Sequence, residues 1–429
     1  MSLSERPHRV RNVLFLMVLA ALAIRLVVMV FQYQARLDPG RDHWEFGFET
    51  GRIARSIASG EGFGNPLFGN TGPTAWMAPV YPYLLAAVFK LFGIYSKTSA
   101  LVILSLNSLF SALTCLPVFF MARKSFGEGV ARWAGWTWVL FPYAIYFSAG
   151  WIWESCLTTL ELSLLFLIAL HLERTTYLAA WVGFGVLWGL VALTSPVVLS
   201  ALPFLCGWVC YRFHQRGKRW ALAAAMTLLG LGAIVTPWFM RNYLTFHQFI
   251  PFRDNFGLEL HVGNNGDTSH WAPYAAHPSS SDAELQEYNR LGELAYMAEK
   301  QRQSLGFIGS HWSWFVCVTL RRVLYTWTGF WSLDRRYLAG ERFDPPNILL
   351  STTLTALALA GLVQAFRRGI AVAPAFALVL LSFPLIYYAT HPETHYRHPL
   401  DPLLVVLAVY AASRPLPESR KTTSGEFDS

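Results

Sequence analysis

The sequence predicts an all-α polytopic membrane protein, a bundle of about ten spans whose extracytoplasmic loops carry interfacial helices. Three observations predict it. Of 429 residues, 54% are hydrophobic and only 14% are charged, whereas a soluble globular domain carries about 25% charged residues. Apolar runs long enough for ~30 Å of hydrocarbon recur along the chain, and mean hydropathy is +0.35. The basic residues behind the net charge of +8 cluster at the ends of those runs, at Arg9 and Arg11, Arg123 and Lys124, Arg212 to Arg219, Arg367 and Arg368, and Arg414 to Lys421. That distribution sets orientation and contacts anionic membrane lipids. The charge therefore argues for a membrane surface, and no nucleic acid partner is expected.

The first span is expected at about 13–33. Its apolar run is too long for a signal peptide, and no small-residue cleavage site ends it. Arg6, Arg9 and Arg11 precede it, so the N-terminus is expected in the cytoplasm and 34–96 outside. Within that loop, Pro79 to Gly93 is apolar but offers only about 13 helical residues, too few at ~1.5 Å each to cross. It reads as an interfacial helix.

Further spans are expected at about 98–121, 133–149, 153–172, 177–192, 196–211 and 220–239. The break between 192 and 196 follows from Pro196, which cannot continue a helix. A long outer region, 241–345, comes next. It opens on the turn cluster Gly263 to Asp267 and continues as a charged helix over 281–303, capped by Ser281 or Asp282. The stretch 312–331 is long enough to cross, and eleven spans result if it does. Arg321 and Arg322 at its centre would cost about 2.5–3.5 kcal/mol each at mid-bilayer, so it is placed at the outer interface. The last spans are expected at about 347–366, 371–389 and 399–413. Residues 1–413 thus form one membrane domain, and 414–429 form a disordered cytoplasmic tail. Both termini are cytoplasmic in this reading, in a plasma or cell inner membrane, and a monomer is expected.

Polar residues converge on one side, in 34–96, 241–345 and 390–398. A channel would spread them through its depth, whereas an enzyme working on a lipid-linked substrate needs them at one end. The first loop holds Asp42, Glu45 and Glu49, candidates for a general base beside Arg52. The competing reading is an amphipathic surface helix with Phe46, Ile53 and Ile57 toward lipid. Glu154, Glu161 and Arg25 are charges at or within spans, either functional or a structural pair. Outer cations are Arg241, Arg253, Arg321, Arg322 and Arg397. Guanidinium suits phosphate oxygens, and the alternative is snorkelling to ordinary headgroups. Among His43, His391, His395 and His398, the pair His391 and His395 has helical ligand spacing, but Pro392 disfavours a helix there and no HExxH motif exists; Cys206 and Cys210 are also helically spaced, with no third or fourth ligand near them. No cofactor is expected, and a divalent metal has no ligand cluster to support it.

The ordered pieces resemble the integral-membrane glycosyltransferases of the GT-C superfamily, in particular the bacterial protein-mannosyltransferase and aminoarabinose-transferase-like proteins of glycosyltransferase family 39. EFGFETGRIARSIASGEGF from Glu45 to Phe63 is similar to that family's acidic residue followed by IA-x-x-L-x-x-G-x-G. PVYPYLLAAVFKLFG resembles PPLYxxLxAxxxxLFG. ARKSFG from Ala122, Pro237-Trp238 with Arg241-Asn242, and Tyr396-Arg397-His398-Pro399 resemble ARRxFG, PWxxRN and YRxP.

The resemblance implies an inverting hexosyl- or pentosyltransferase that uses a polyprenyl-phosphate sugar donor. The acceptor is a glycan, lipid or protein on the extracytoplasmic face. A first-loop acid would serve as base, and Arg397, Arg241, Arg321, Arg322 and Tyr396 would bind the donor phosphate. The family's Asp falls eight residues before the Ala of the IA pair, which here is Phe46. The base is thus left between Glu45 and Glu49, with Asp42 farther off. Two other classes stay open: a flippase of a lipid-linked substrate, and a non-catalytic membrane homologue.

Overall fold

The computed structural model describes residues 5–36, 46–266, 268, 276–329 and 347–413. Asp42, His43, Glu45 and the 414–429 tail lie outside the described residues. All the regular elements described are helical, and one isolated bridge pairs Gly64 with Pro73.

The chain opens with α1 (Glu5–Arg36), followed by α2 (Glu49–Ala58) and α3 (Val80–Phe92) in the first loop. The bundle continues through α4 (Lys97–Leu113), α5 (Cys115–Phe126), α6 (Glu128–Val139), α7 (Pro142–Gly150), α8 (Ser155–Leu172) and α9 (Leu178–Thr194). A 3-10 segment at Pro196–Ala201 leads into α10 (Leu202–His214), and α11 (Trp220–Phe246) follows. The second loop region holds α12 (Phe256–Gly263), α13 (Asp282–Leu291), α14 (Glu293–Ser310) and α15 (Trp312–Thr328). The chain ends with α16 (Asn347–Arg367), α17 (Ala373–Ser382), α18 (Leu385–Ala389), α19 (Thr394–Arg397) and α20 (Asp401–Ala412).

The polytopic, all-helical class holds, but the expectation of about ten or eleven spans is overturned. Among the described residues, six helices are long and apolar enough to cross a membrane: Val10–Gln32, Lys97–Phe126, Ser155–Leu172, Pro196–His214, Trp220–Phe246 and Asn347–Arg367. The four others expected fall short for local reasons. Pro142 divides 133–149 into α6 and α7, of 12 and 9 residues. The helix expected at 177–192 stops at the extended Ser195 after 17 residues. Phe383 and Pro384 separate α17 from α18, and α20 has only 12 residues, or about 18 Å of rise. The ambiguous stretch is α15, 17 residues long with Arg322 buried and Arg321 exposed.

Close helix packing needs small residues. A Cβ on Gly185 of α9 would lie 1.9 Å from the Thr227 carbonyl of α11, and one on Gly230 of α11 would lie 2.2 Å from the Val182 carbonyl. Glycine lets these backbones touch, the means by which helices associate where lipid removes the hydrophobic drive. The main core runs between α5, α6, α8, α17 and α20, around Trp138, Phe166, Phe376 and Val405. A smaller core seats α2 and α3 against α4 through Phe46, Phe89 and Ile103. A third ties the first loop to α12–α14 through Ile53, Trp76, Leu258 and Tyr296. Ser281 caps α13 as its sequence position predicts, accepting from the Glu284 amide at 3.3 Å, but the charged helix is broken at Gly292 into α13 and α14.

Candidate active site

A cavity of about 640 Å³ opens where several helix breaks meet. Its walls come from the start of α2, the start of α8, the Ser195–Pro196 break, the start of α12, the 277–280 turn and the break between α18 and α20. Helix ends leave unpaired backbone groups, so polar side chains gather there. The volume suits a small-molecule or headgroup-sized ligand.

The first loop is bent into place by Gly47. Its φ is +85°, and a Cβ there would sit 2.7 Å from the Ile152 carbonyl oxygen. The turn therefore presses against the segment Ile152–Trp153–Glu154 and starts α2 with Glu49 on the cavity wall. Ser279 donates its hydroxyl to Glu49 Oε1 at 2.6 Å, His277 Nε2 lies 4.0 Å from the same oxygen, and Arg52 Nη1 lies 3.8 Å away. The rest of the loop is organised by Asn65, whose Oδ1 accepts from the amides of Thr71 and Gly72, each at 2.9 Å.

Glu154 faces the same cavity from the N-terminus of α8. It is buried, and among the described residues its Oε2 has no hydrogen-bond partner. Burial pushes its pKa up to about 7, against a smaller downward pull from Arg253. Arg253 begins a relay along the opposite wall. Its Nε donates to Asn255 Oδ1 at 2.7 Å, Asn255 Nδ2 donates to Glu259 Oε1 at 2.7 Å, and Glu259 Oε2 meets His391 Nε2 at 2.8 Å. Among the described residues the Nη groups of Arg253 make no hydrogen bond, which leaves its two-pronged edge available for an anion. Burial alone would raise the pKa of Glu259, but the bond and charge of His391 outweigh it and bring the group down to about 2.

The remaining wall is aromatic. His395 is buried with ring centroids 5.5 Å from both Trp151 and Trp153. Burial, followed by the charges of His391 and His398, lowers its pKa to about 3, so it is a neutral ring. Tyr396 stacks on Tyr387 at 4.5 Å and 14°. His395 Nε2 and Trp151 Nε1 have no partner among the described residues, so polar edges are available within an otherwise flat apolar surface. Such a surface suits a sugar ring or an apolar chain.

Of the expected site residues, Glu49 and Tyr396 line this cavity. The four expected cations do not. Arg241 donates to the carbonyls of Thr74 and Phe63 at 2.7 and 2.8 Å. Arg322 donates to the Ala389 carbonyl at 2.9 Å, to Asn264 Oδ1 at 3.1 Å and to the Gly263 carbonyl. Arg397 is 3.3 Å from Asp401, and Arg321 is exposed. The cation that does reach the cavity is Arg253, one of the outer arginines of the sequence. Its partners Asn255 and Glu259 escaped notice because no motif surrounds them. Among the described residues no group of three His, Cys, Asp or Glu side chains is arranged to hold a metal ion.

No family model matches this chain, and no curated protein matches it. The fold is similar to that of the archaeal oligosaccharyltransferase AglB from Archaeoglobus fulgidus in complex with an inhibitory peptide and a dolichol-phosphate. The TM-score is 0.55 at 16% identity, over 96% of this chain and 50% of that one. The structure of the Archaeoglobus fulgidus oligosaccharyltransferase complex with Zn and sulfate matches with TM-score 0.52 at 16% identity, over 93% of this chain and 48% of that one. The chain thus spans about half the length of these oligosaccharyltransferases, and at this identity what it shares with them is the fold. ArnT from Cupriavidus metallidurans bound to undecaprenyl phosphate is a more distant match, with TM-score 0.39 at 14% identity, over 89% of this chain and 77% of that one.

Proposed function

We propose that this protein is a membrane glycosyltransferase. It moves a sugar from a polyprenyl-phosphate donor to a hydroxyl of an extracytoplasmic glycan, lipid or protein. The observation that carries this reading is that one cavity is lined by the carboxylates Glu49 and Glu154 together with the open edge of Arg253. Support comes from the fold shared with oligosaccharyltransferases, one of which is described with a dolichol-phosphate, and from the ordered sequence pieces.

In this proposal the acceptor oxygen attacks the anomeric carbon from the face opposite the phosphate, with inversion. The carbon–oxygen bond to the phosphate breaks, and the lipid phosphate leaves with the electron pair. The acceptor proton passes to a cavity carboxylate. Glu49 is the described first-loop candidate, but Ser279 already donates to it, which suits it to orienting the hydroxyl. Glu154, with a free oxygen and a pKa of about 7, is matched to accept the proton at neutral pH. Arg253 neutralises charge growing on the leaving phosphate. Tyr396 and the Trp151–Trp153 wall hold the sugar.

The experiment is transfer of labelled sugar from polyprenyl phosphate in proteoliposomes. Glu49→Gln and Arg253→Ala should each lower the rate at least about a hundredfold, as loss of a catalytic hydrogen-bonding or charged group does, with a normal elution profile. Unchanged rates in both variants would overturn the reading.

A further inference from the structure

A second cavity of about 680 Å³ lies along α10, between it and the turn that joins α16 to α17. The 3-10 segment that starts the Pro196–His214 span borders the active-site cavity, whereas the second cavity follows α10 toward its other end. The two cavities are thus displaced toward opposite leaflets along one helix of about 28 Å. Nothing in the proposed transfer uses the second one.

Its lining changes character along its length. Phe204, Trp208, Tyr211 and Gln215 lie on one stripe of α10 at helical spacing, facing Leu378 and Ile370. The deep end is apolar, and the mouth is polar, where Gln215 Nε2 donates to the Tyr211 hydroxyl at 2.7 Å. The mouth is also positive. Glu173 is a buried carboxylate approached by three guanidiniums, Arg174 at 3.6 Å, Arg212 at 3.3 Å and Arg216 at 3.4 Å. One negative charge cannot neutralise three, and Arg212 lines the cavity. Lys218, Arg367 and Arg368 add to the same end of the bundle, and all three are exposed.

We infer that this groove is a specific site for one anionic glycerophospholipid of the leaflet opposite the active site, with its phosphate at Arg212 and one acyl chain along the Phe204–Trp208 stripe. The pattern of an apolar trough ending in a net positive mouth matches a phospholipid's own polarity. Arginine holds a phosphodiester with paired donors. A zwitterionic headgroup would bring its own cation into a mouth already positive, so the site discriminates by charge.

Native mass spectrometry of the full chain in detergent tests this, with phosphatidylglycerol and phosphatidylcholine of identical acyl chains as probes. One phosphatidylglycerol should be retained in preference to phosphatidylcholine. Arg212→Gln should weaken it about fivefold, the worth of one basic residue at an anionic surface. Gly207→Leu should block both lipids, because a side chain built there meets open space within the groove. Gln215→Glu alters only an exposed residue, so the fold is not at risk, and it should weaken phosphatidylglycerol alone by placing an anion at the mouth. Equal retention of the two lipids, or wild-type phosphatidylglycerol binding in folded Gly207→Leu and Gln215→Glu proteins, would overturn the site.

Discussion

Arg25 Nη2 lies 3.2 Å from the carbonyl oxygen of Trp138, which Pro142 denies the helical amide four residues on and which otherwise accepts from the Phe141 amide at 3.3 Å. In an unbroken helix the amide four residues on would bond that oxygen, and proline has none. Arg25 also donates to the Val139 carbonyl at 3.2 Å, to the Ala21 carbonyl at 3.0 Å and to Ser111 Oγ at 2.9 Å. The charge in α1 is therefore the patch for a helix break in its neighbour, with no carboxylate involved. Arg322 serves the end of α18 in the same manner through the Ala389 carbonyl, whereas Arg241 holds the loop carbonyls of Thr74 and Phe63.

Replacing Arg25 by Met should destabilise the bundle, since it leaves the Val139 carbonyl without its donor, and a buried carbonyl without a partner costs about 1–3 kcal/mol. Thermal denaturation in detergent reads this directly. Pro142→Ala restores an amide opposite Trp138, so the double variant should recover part of the loss. Additive losses in the double variant would show that the break and the arginine are unrelated.

Glu154 is expected to act in its ionised form, so the transfer rate of the wild type should rise with pH through about 7. Glu154→Gln should lower the rate by about 10²–10⁴-fold and flatten that limb. The proton balance of the fold runs the other way. A carboxyl held above its unfolded value of 4.5 stabilises the fold at low pH, and that contribution is lost as pH rises through 7. Glu154→Gln should therefore be at least as stable as the wild type at pH 8, while being inactive. A pH–rate profile that keeps its limb in Glu154→Gln would remove this residue from the reaction.

Asp254 and Glu293 form a buried acid pair behind the cavity wall. Glu293 accepts from Tyr288 at 2.7 Å, from the Ala75 amide at 2.6 Å and from Thr74 at 2.5 Å. With three donors on Glu293, the proton that the pair retains belongs on Asp254. Burial and the neighbouring Glu293 charge push Asp254 well up, and burial raises Glu293 against its hydrogen bonds. Stability from the shared proton is complete below the unfolded values of 3.8 and 4.5 and is lost as pH rises through the folded ones. Melting temperatures should thus decline on the alkaline side. Asp254→Asn, which imitates the protonated acid, should abolish that decline, and a variant that still declines in parallel with the wild type refutes the pairing.

Glu259 behaves oppositely. Its folded pKa of about 2 lies below the unfolded 4.5, so its contribution is present above 4.5 and is lost as pH falls toward 2. Glu259→Gln should cost about 1.5–3 kcal/mol near neutrality, as loss of a charged hydrogen bond does, and should remove this share of the acid loss. Denaturation at pH 6 and pH 3 distinguishes the outcomes: an equal cost at both would exclude the Glu259–His391 pair as the source.

Hydropathy and charge in the sequence determined that this chain is an all-α polytopic membrane protein. They also located the short helix before Gly93, the break at Pro196 and the Ser281 cap, because each follows from residues within one or two turns. Glu49 was legible for the same reason, as an acid beside Arg52 at helical spacing. The number of crossing helices was not legible. A hydropathy run does not show whether Pro142 or Pro384 merely bends a span or ends it, and that depends on what receives the freed carbonyls. Nor did the sequence assign its arginines. Arg241, Arg322, Arg397 and Arg253 look alike as outer cations, yet three are spent on backbone or Asp401 and only Arg253 reaches the cavity beside Glu154 and Glu259. Those partners come from segments about a hundred residues apart or more, such as Glu154 with Arg253 and Glu259 with His391. Long-range packing alone brings them together, and it decides which charges face a ligand and which repair the helices that enclose it.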